Sequence, residues 1–229
     1  MHDEFLKSIP ILKNMPEFII SNLGSKVKSA SYKKGDYIFH EYEEAKAVFF
    51  VKSGIVKIKK MNHEGKEIVV GIKRIGSIFA ENSLFSEPAT PYYGTAQTLE
   101  HTEVLFLMTS DLEEMIAMNP SLSVEMIRLM GSELRFFTSI LRDLALLDVY
   151  TKTVKTLERL AHEFGKETDN GVKIEIPLTI QDLANIIGST RESISRVVTK
   201  LKQQGFVTIE EKTITINNWY NFSEMFMSA

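Results

Sequence analysis

Four residues in one short stretch carry side chains able to read the edges of DNA bases: Arg191, Glu192, Ser195 and Arg196. A guanidinium donates two parallel hydrogen bonds to O6 and N7 of guanine. A carboxylate accepts from N4 of cytosine, and a serine hydroxyl suits either a base or a phosphate oxygen. Interleaved with them, Ile194, Val197, Val198 and Leu201 fall at i, i+3, i+4 and i+7, the stripe by which an amphipathic helix is buried. The polar four then occupy the first two turns away from that stripe, where a helix entering a major groove makes its base contacts. Ser189-Thr190-Arg191-Glu192 reads as a capping box, with Ser189 accepting from the amide of Glu192 and the carboxylate reaching back. The helix start would also favour a phosphate. Lys200 and Lys202 lie further along, placed for the phosphate backbone. From charge alone, the same residues would make a solvated helix face.

The flanking sequence supplies elements able to hold such a helix. Thr179 to Asp182 is another cap with an acid three positions on, and Leu183, Ala184 and Ile187 form an apolar face that Gly188 ends. Gly205 is placed as the left-handed cap of the second helix. Two short helices around a glycine turn predict a helix-turn-helix, the alternative being an αα-hairpin in some other helical domain. Phe206 to Ile209 and Thr213 to Ile216 alternate on either side of Glu210-Glu211-Lys212, which predicts a β-hairpin and hence a winged helix-turn-helix. Upstream, Val154, Leu157, Leu160 and Ala161 predict an amphipathic helix ending near Gly165. Thr168-Asp169-Asn170-Gly171 is a turn, and Val172 to Ile176 a short strand stopped by Pro177.

Before residue 119 the chain has a different period. Lys34-Gly35-Asp36, Ser53-Gly54 and Glu64-Gly65-Lys66 are turns between short β-rich runs, among them Ile55 to Lys59, whose period of two fits a half-buried strand. A small barrel or sandwich is expected. Asn119-Pro120 then marks a helix start, with Asn119 as N-cap. Ile127, Met130, Leu134, Phe137, Leu141 and Leu144 follow at spacings of three and four, an a/d seam. Such a seam suits a parallel dimer; an ordinary core-facing helix would show the same stripe over so short a length. The expected divisions are residues 1–118, 119–148 and 149–229.

Composition narrows the class. Apolar residues make up 44% of the 229 and charged residues 25%, ordinary for a globular chain. The longest apolar run, Val104 to Met108, is too short to cross a bilayer, and the start has no basic segment followed by an apolar one, so the cytoplasm is the expected compartment and no membrane partner is expected. With no cysteine, disulfides, a catalytic thiol, cysteine-ligated zinc and an iron–sulfur cluster are excluded. Net charge is −3, yet residues 189–204 set Arg191, Arg196, Lys200 and Lys202 against Glu192 alone. An acidic body with one basic edge suits a protein that offers phosphates a single surface.

The motifs together resemble the cyclic-AMP receptor protein / fumarate–nitrate regulator (CRP/FNR) superfamily of transcription regulators over nearly the whole chain. Ser189 to Arg196 is close to its recognition helix, and Val51-Lys52-Ser53-Gly54-Ile55-Val56-Lys57 matches a signature of its sensor domain. Gly76 to Phe85 matches the effector loop imperfectly, and Leu144 to Val149 resembles the hinge. The resemblance implies an α+β fold: an N-terminal β-roll (a double-stranded β-helix, jelly-roll-like), a long dimerisation helix and a C-terminal winged helix-turn-helix. It also implies a homodimer on a palindromic operator in double-stranded DNA with TGTGA- or TTGAT-like half-sites, and contact with RNA polymerase if the protein activates.

For the signal, the resemblance points to a pocket of Phe79, Glu81, Asn82, Tyr92, Tyr93, Leu134, Phe137 and Thr138. Cyclic-nucleotide members carry Gly-Glu in the effector loop and then an arginine for the cyclic phosphate. Here Ala80 precedes Glu81, Tyr92 stands in the arginine's place, and Pro88 to Thr95 contains neither Lys nor Arg. A phosphate anion needs a cation or a row of amides, so cyclic AMP is not expected to bind. An unidentified small apolar or aromatic effector suits the side chains better, although the same aromatics would equally pack the roll against the long helix. No cofactor is required. A regulator without effector is the alternative, and a haem-based gas sensor a further one, although no two of His2, His40, His63, His101 and His162 stand at ligand spacing. No metal site and no catalytic residues are expected. A cupin-like enzyme would need a His-x-His pair, and no nucleotide-binding, metalloprotease or serine-hydrolase motif occurs.

Overall fold

The computed structural model describes residues 2–169, 171–210 and 213–224. Two compact units divide the chain: residues up to 65 with 70–137, and residues 66–69 with 138 onward.

The first unit begins with two short helices, α1 (Asp3–Ser8) and α2 (Glu17–Lys26), that the sequence pattern did not suggest. Eight strands follow: β1 (Lys28–Tyr32), β2 (Tyr37–Phe39), β3 (Ala47–Ser53), β4 (Val56–Met61), β5 (Glu67–Lys73), β6 (Ile78–Phe79), β7 (Thr95–Thr98) and β8 (Thr102–Met108). They make two four-stranded sheets, ordered β1-β8-β3-β6 and β2-β7-β4-β5. The alternation from Ile55 to Lys59 becomes β4, with Val56 and Ile58 buried and Lys57 and Lys59 facing outward. β3 does not alternate because both of its faces are covered. Phe49 and Val51 join Phe39, Val56, Ile58, Phe79, Ala96 and Val104 between the two sheets. Val48 and Phe50 turn the other way, into a second core with α1, α2, α3 (Thr109–Met118) and the start of α4 (Pro120–Leu146). Gly54 ends β3 at φ +85°, and a Cβ there would lie 2.5 Å from the carbonyl oxygen of His101, so the turn admits only glycine.

Pro120 is the first residue of α4, as expected. The Asn119 amide side chain donates to the Met115 carbonyl at 2.7 Å, and its own carbonyl accepts from the Ser123 amide. At 27 residues α4 is about 40 Å long. Its seam is exposed in the single chain: Ile127, Leu134 and Leu141 are 68%, 69% and 66% accessible.

The second unit opens with α5 (Val149–Phe164), capped by the Asp148 carboxylate, which accepts from the amides of Tyr150 and Thr151. Its buried side includes Val154, Leu157, Leu160 and Ala161, as the periodicity predicted. β9 (Gly165–Thr168) and β10 (Gly171–Ile174) come next, then α6 (Ile180–Ile187), α7 (Arg191–Gln203), β11 (Val207–Glu210), β12 (Thr213–Ile216) and α8 (Trp219–Glu224). The hairpin β11–β12 is part of a four-stranded antiparallel sheet, β11-β12-β10-β9. Asn170, in the turn predicted from Thr168 to Gly171, and Glu211 and Lys212, in the turn predicted for the hairpin, lie outside the described residues. β10 stops at Ile174, two residues earlier than expected, and β9 was not foreseen because all four of its residues are exposed and leave no alternation.

The two helix starts are built as local chemistry requires, with one correction. At α6 the Thr179 hydroxyl accepts from the Asp182 amide (3.1 Å), and the Asp182 carboxylate accepts from the Thr179 amide (3.0 Å). Gly188 closes α6 at φ +68°. At α7 the cap is Thr190, not Ser189. Thr190 Oγ1 accepts from the amide of Ser193 at 3.2 Å, while the amide of Ser189 donates to the Ala184 carbonyl and so finishes α6. Both residue types can cap; the extended backbone at Thr190 (φ −85°, ψ 150°) decides between them. Thr190→Ala should therefore destabilise the protein by about 0.5–2 kcal/mol in urea unfolding. Ser189→Ala should have a clearly smaller effect, and the reverse order would return the cap to Ser189.

Candidate nucleic-acid interface and sensor pocket

Which face of α7 meets solvent follows from its packing. Ile194, Val198 and Leu201 are buried where α7 lies on α5 and α6, and Val197 is half-buried. Thr190, Arg191, Glu192, Ser195, Arg196, Lys200 and Lys202 are exposed, and Ser189 is half-buried in the turn. Seven of the eight predicted contact residues are thus exposed: five at the cap and first two turns of α7, and Lys200 and Lys202 in its last turn. In the free chain Arg196 Nε lies 3.4 Å from the Glu192 carbonyl oxygen, so the arginine arm rests along the helix. Lys200 Nζ sits 4.8 Å above the ring of Tyr150, whose hydroxyl donates to Gln204 Oε1 at 3.4 Å. Tyr150 thereby steadies a cation in the last turn of α7, which the sequence reading missed because the two residues are far apart in the chain. Gly205 ends α7 at φ +76°, where the Gly205 amide donates to the Lys202 carbonyl and the Phe206 amide to that of Leu201.

The eight residues proposed for the effector pocket do not form one group. Phe79 and Tyr92 belong to the aromatic core of the roll: Tyr92 stacks on Phe39 at 3.8 Å and Phe79 on Phe49 at 5.1 Å. The Tyr92 hydroxyl accepts from the Ala47 amide (3.2 Å) and donates to its carbonyl (3.3 Å), so it is tied to the backbone. Asn82 is exposed in the 3-10 turn Glu81–Ser83. Leu134 and Phe137 are exposed on α4, and Thr138, also exposed, falls in the second unit.

Glu81 and Tyr93 do come together, with two residues the sequence reading did not select. Glu81 is 9% accessible and follows Ala80, which holds a left-handed backbone at φ +64°. Lys73 of β5 bonds to Glu133 of α4 at 3.1 Å, with side chains 14% and 29% accessible. Burial pushes the Glu81 carboxyl above the usual range; the Lys73 charge opposes this and that of Glu133 adds to it. Burial likewise raises the Tyr93 hydroxyl well above its ordinary value, reinforced by Glu81 and then Glu133. A cation therefore stands near Glu81 although none occurs between Pro88 and Thr95, and it is already paired. The signal for Lys73 was its position at the end of a strand of apolar character; for Glu133 it was a charge directly beside the seam.

Among the described residues no helix is long and apolar enough to cross a membrane, and no group of three or more His, Asp or Glu could hold a metal ion.

Comparison with known proteins places both units. The Cyclic nucleotide-binding domain family matches residues 29–119, and the Crp-like helix-turn-helix domain family matches residues 152–224. The Anaerobic regulatory protein of Bacillus subtilis (strain 168) is 33% identical over 199 residues, 85% of this chain and 83% of its own. A CRP-like cAMP-activated global transcriptional regulator of Mycobacterium tuberculosis is 26% identical over 216 residues, 94% of this chain and 96% of its own. The structure of FixK2 from Bradyrhizobium japonicum shares the fold, with a TM-score of 0.76 at 21% identity over 86% of this chain and 96% of that one. The roll of two sheets, the long helix and the winged helix-turn-helix are thus a shared architecture, and the chain belongs to the CRP/FNR family of transcription regulators.

Proposed function

We propose that two copies of the chain pair along the seam from Ile127 to Leu144 and present two α7 helices to a near-palindromic operator in double-stranded DNA. The half-sites lie one helical turn apart, as the symmetry of such a pair requires. The observation that carries this reading is the exposed quartet Arg191, Glu192, Ser195 and Arg196 at the capped start of α7. Arg196 and Arg191 donate to guanine, Glu192 accepts from cytosine, and Ser195, Thr190 and Ser189 face base or phosphate. Lys200 and Lys202 meet the backbone, Lys200 leaving the Tyr150 ring to do so. Half-sites of the TGTGA or TTGAT type follow from the likeness of this helix to the family's. The regulator works in the cytoplasm, without catalysis, and meets RNA polymerase where it raises transcription.

Its signal acts on the roll and is not cyclic AMP. The Tyr92 hydroxyl is held by Ala47, and Lys73, whose charge acts on Glu81, is paired with Glu133, so neither residue offers the cyclic phosphate a free cation. Neither haem nor an iron–sulfur cluster is part of this reading. A signal shifts DNA affinity only by binding one arrangement of the pair better than the other.

Arg196→Ala should weaken operator binding by about 1–3 kcal/mol and relax selection at one guanine position in a gel-shift series against a base-substituted operator. Unchanged affinity and unchanged selectivity would remove Arg196 from the contact set. Leu134→Glu places a charge in the seam at an exposed position. In sedimentation experiments it should give monomers where the wild type is dimeric, and lower operator affinity by on the order of 10²-fold or more. A dimer that persists with full affinity would put the pairing surface elsewhere.

A further inference from the structure

The ion pair between Lys73 and Glu133 joins strand β5 to the long helix, and the buried Glu81 lies within the field of both charges. The Lys73 charge, paired with Glu133, therefore also acts on Glu81. We propose that these three residues form a charge-coupled clasp, in which the ionisation of Glu81 sets how firmly Lys73 holds Glu133 and hence how firmly α4 is held to β5. The inference goes beyond the DNA-binding reading and stands whether or not α7 reads bases.

The geometry runs as follows. Glu81 lies just after β6, Lys73 at the end of β5 and Glu133 on the flank of α4 beside Leu134. Three other ionisable groups face Glu81 among the described residues: Lys73, Glu133 and the Tyr93 hydroxyl. When Glu81 is neutral, the single lysine answers a single carboxylate and the bridge closes as observed. When Glu81 is ionised, two negative charges share one positive charge in a site shielded from water. The attraction of Lys73 is divided and the carboxylates repel one another, so the bridge to α4 weakens. Anything that neutralises Glu81 tightens the clasp, the proton being the simplest such agent. The folded protein holds this proton more tightly than the unfolded chain does. Stability therefore falls as pH rises from the ordinary glutamate range through the folded-state value, and then levels off.

The test uses the full chain and the proton alone. Thermal midpoints are measured for the wild type, Lys73→Met, Glu133→Gln and the double variant, at pH 5 and at pH 8. The pairwise coupling is expected to lose most of its size between the two pH values. In a Glu81→Gln background it should be the same at both. Coupling that does not change with pH in the wild type, or that falls equally in the Glu81→Gln background, overturns the proposal. Should Glu81→Gln fail to fold, carbon-detected NMR titration of Glu81 decides. Its midpoint should lie above the ordinary glutamate range, move up in Lys73→Met and move down in Glu133→Gln. A midpoint that neither variant moves would overturn the clasp.

Discussion

The exposure of the α7 quartet depends on the burial of three other side chains. Ile194, Val198 and Leu201 fix the rotation of α7 against α5 and α6, and a helix rotated so that one face is inside has its other face decided. The caps add precision. Thr190 and Gly188 place the turn between the helices, so the first turn of α7 begins where Arg191 and Glu192 can leave it outward. A few kilocalories of apolar burial and two caps thereby turn a linear run of residues into a surface with a defined order of donors and acceptors.

In the roll the corresponding constraint is β3. One strand supplies Phe49 and Val51 to the space between the sheets, and Val48 and Phe50 to the layer beneath the helices. The same double coverage explains why the aromatics near the effector loop belong to the core. Tyr92, which the sequence resemblance sets against the phosphate-binding arginine of cyclic-nucleotide members, is stacked on Phe39 and bonded to the backbone of β3. Tyr92 is part of the packing, while Lys73 and Glu133 form an ion pair whose charges act on the buried Glu81. The roll keeps the family architecture.

The long helix belongs to both themes. Its inner side carries Leu122 and Met126 into the helical core and Glu133 to Lys73, while its outer side leaves an apolar seam in water. An exposed stripe of that length is costly for a lone chain and is relieved when a second helix covers it.

Much of this was legible in the sequence because it rests on local periodicity and turn chemistry. The spacing of Ile194, Val198 and Leu201, the cap at Thr179, the glycines at 188 and 205 and the alternation of β4 each involve residues within two turns or one strand of one another, and the seam of α4 is built from steps of three and four residues. The cap of α7 was misplaced by one residue because Ser189 and Thr190 are chemically equivalent there and only the backbone path distinguishes them. β9 and the N-terminal helices were missed because exposure or shortness erased the pattern. The pairing of Lys73 with Glu133, the burial of Glu81, the tie of Tyr92 to Ala47 and the seat of Lys200 on Tyr150 were decided by tertiary structure alone. Each joins residues from separate elements, and the strength of an ionic or polar contact depends on distance and exclusion of water, which chain order does not encode.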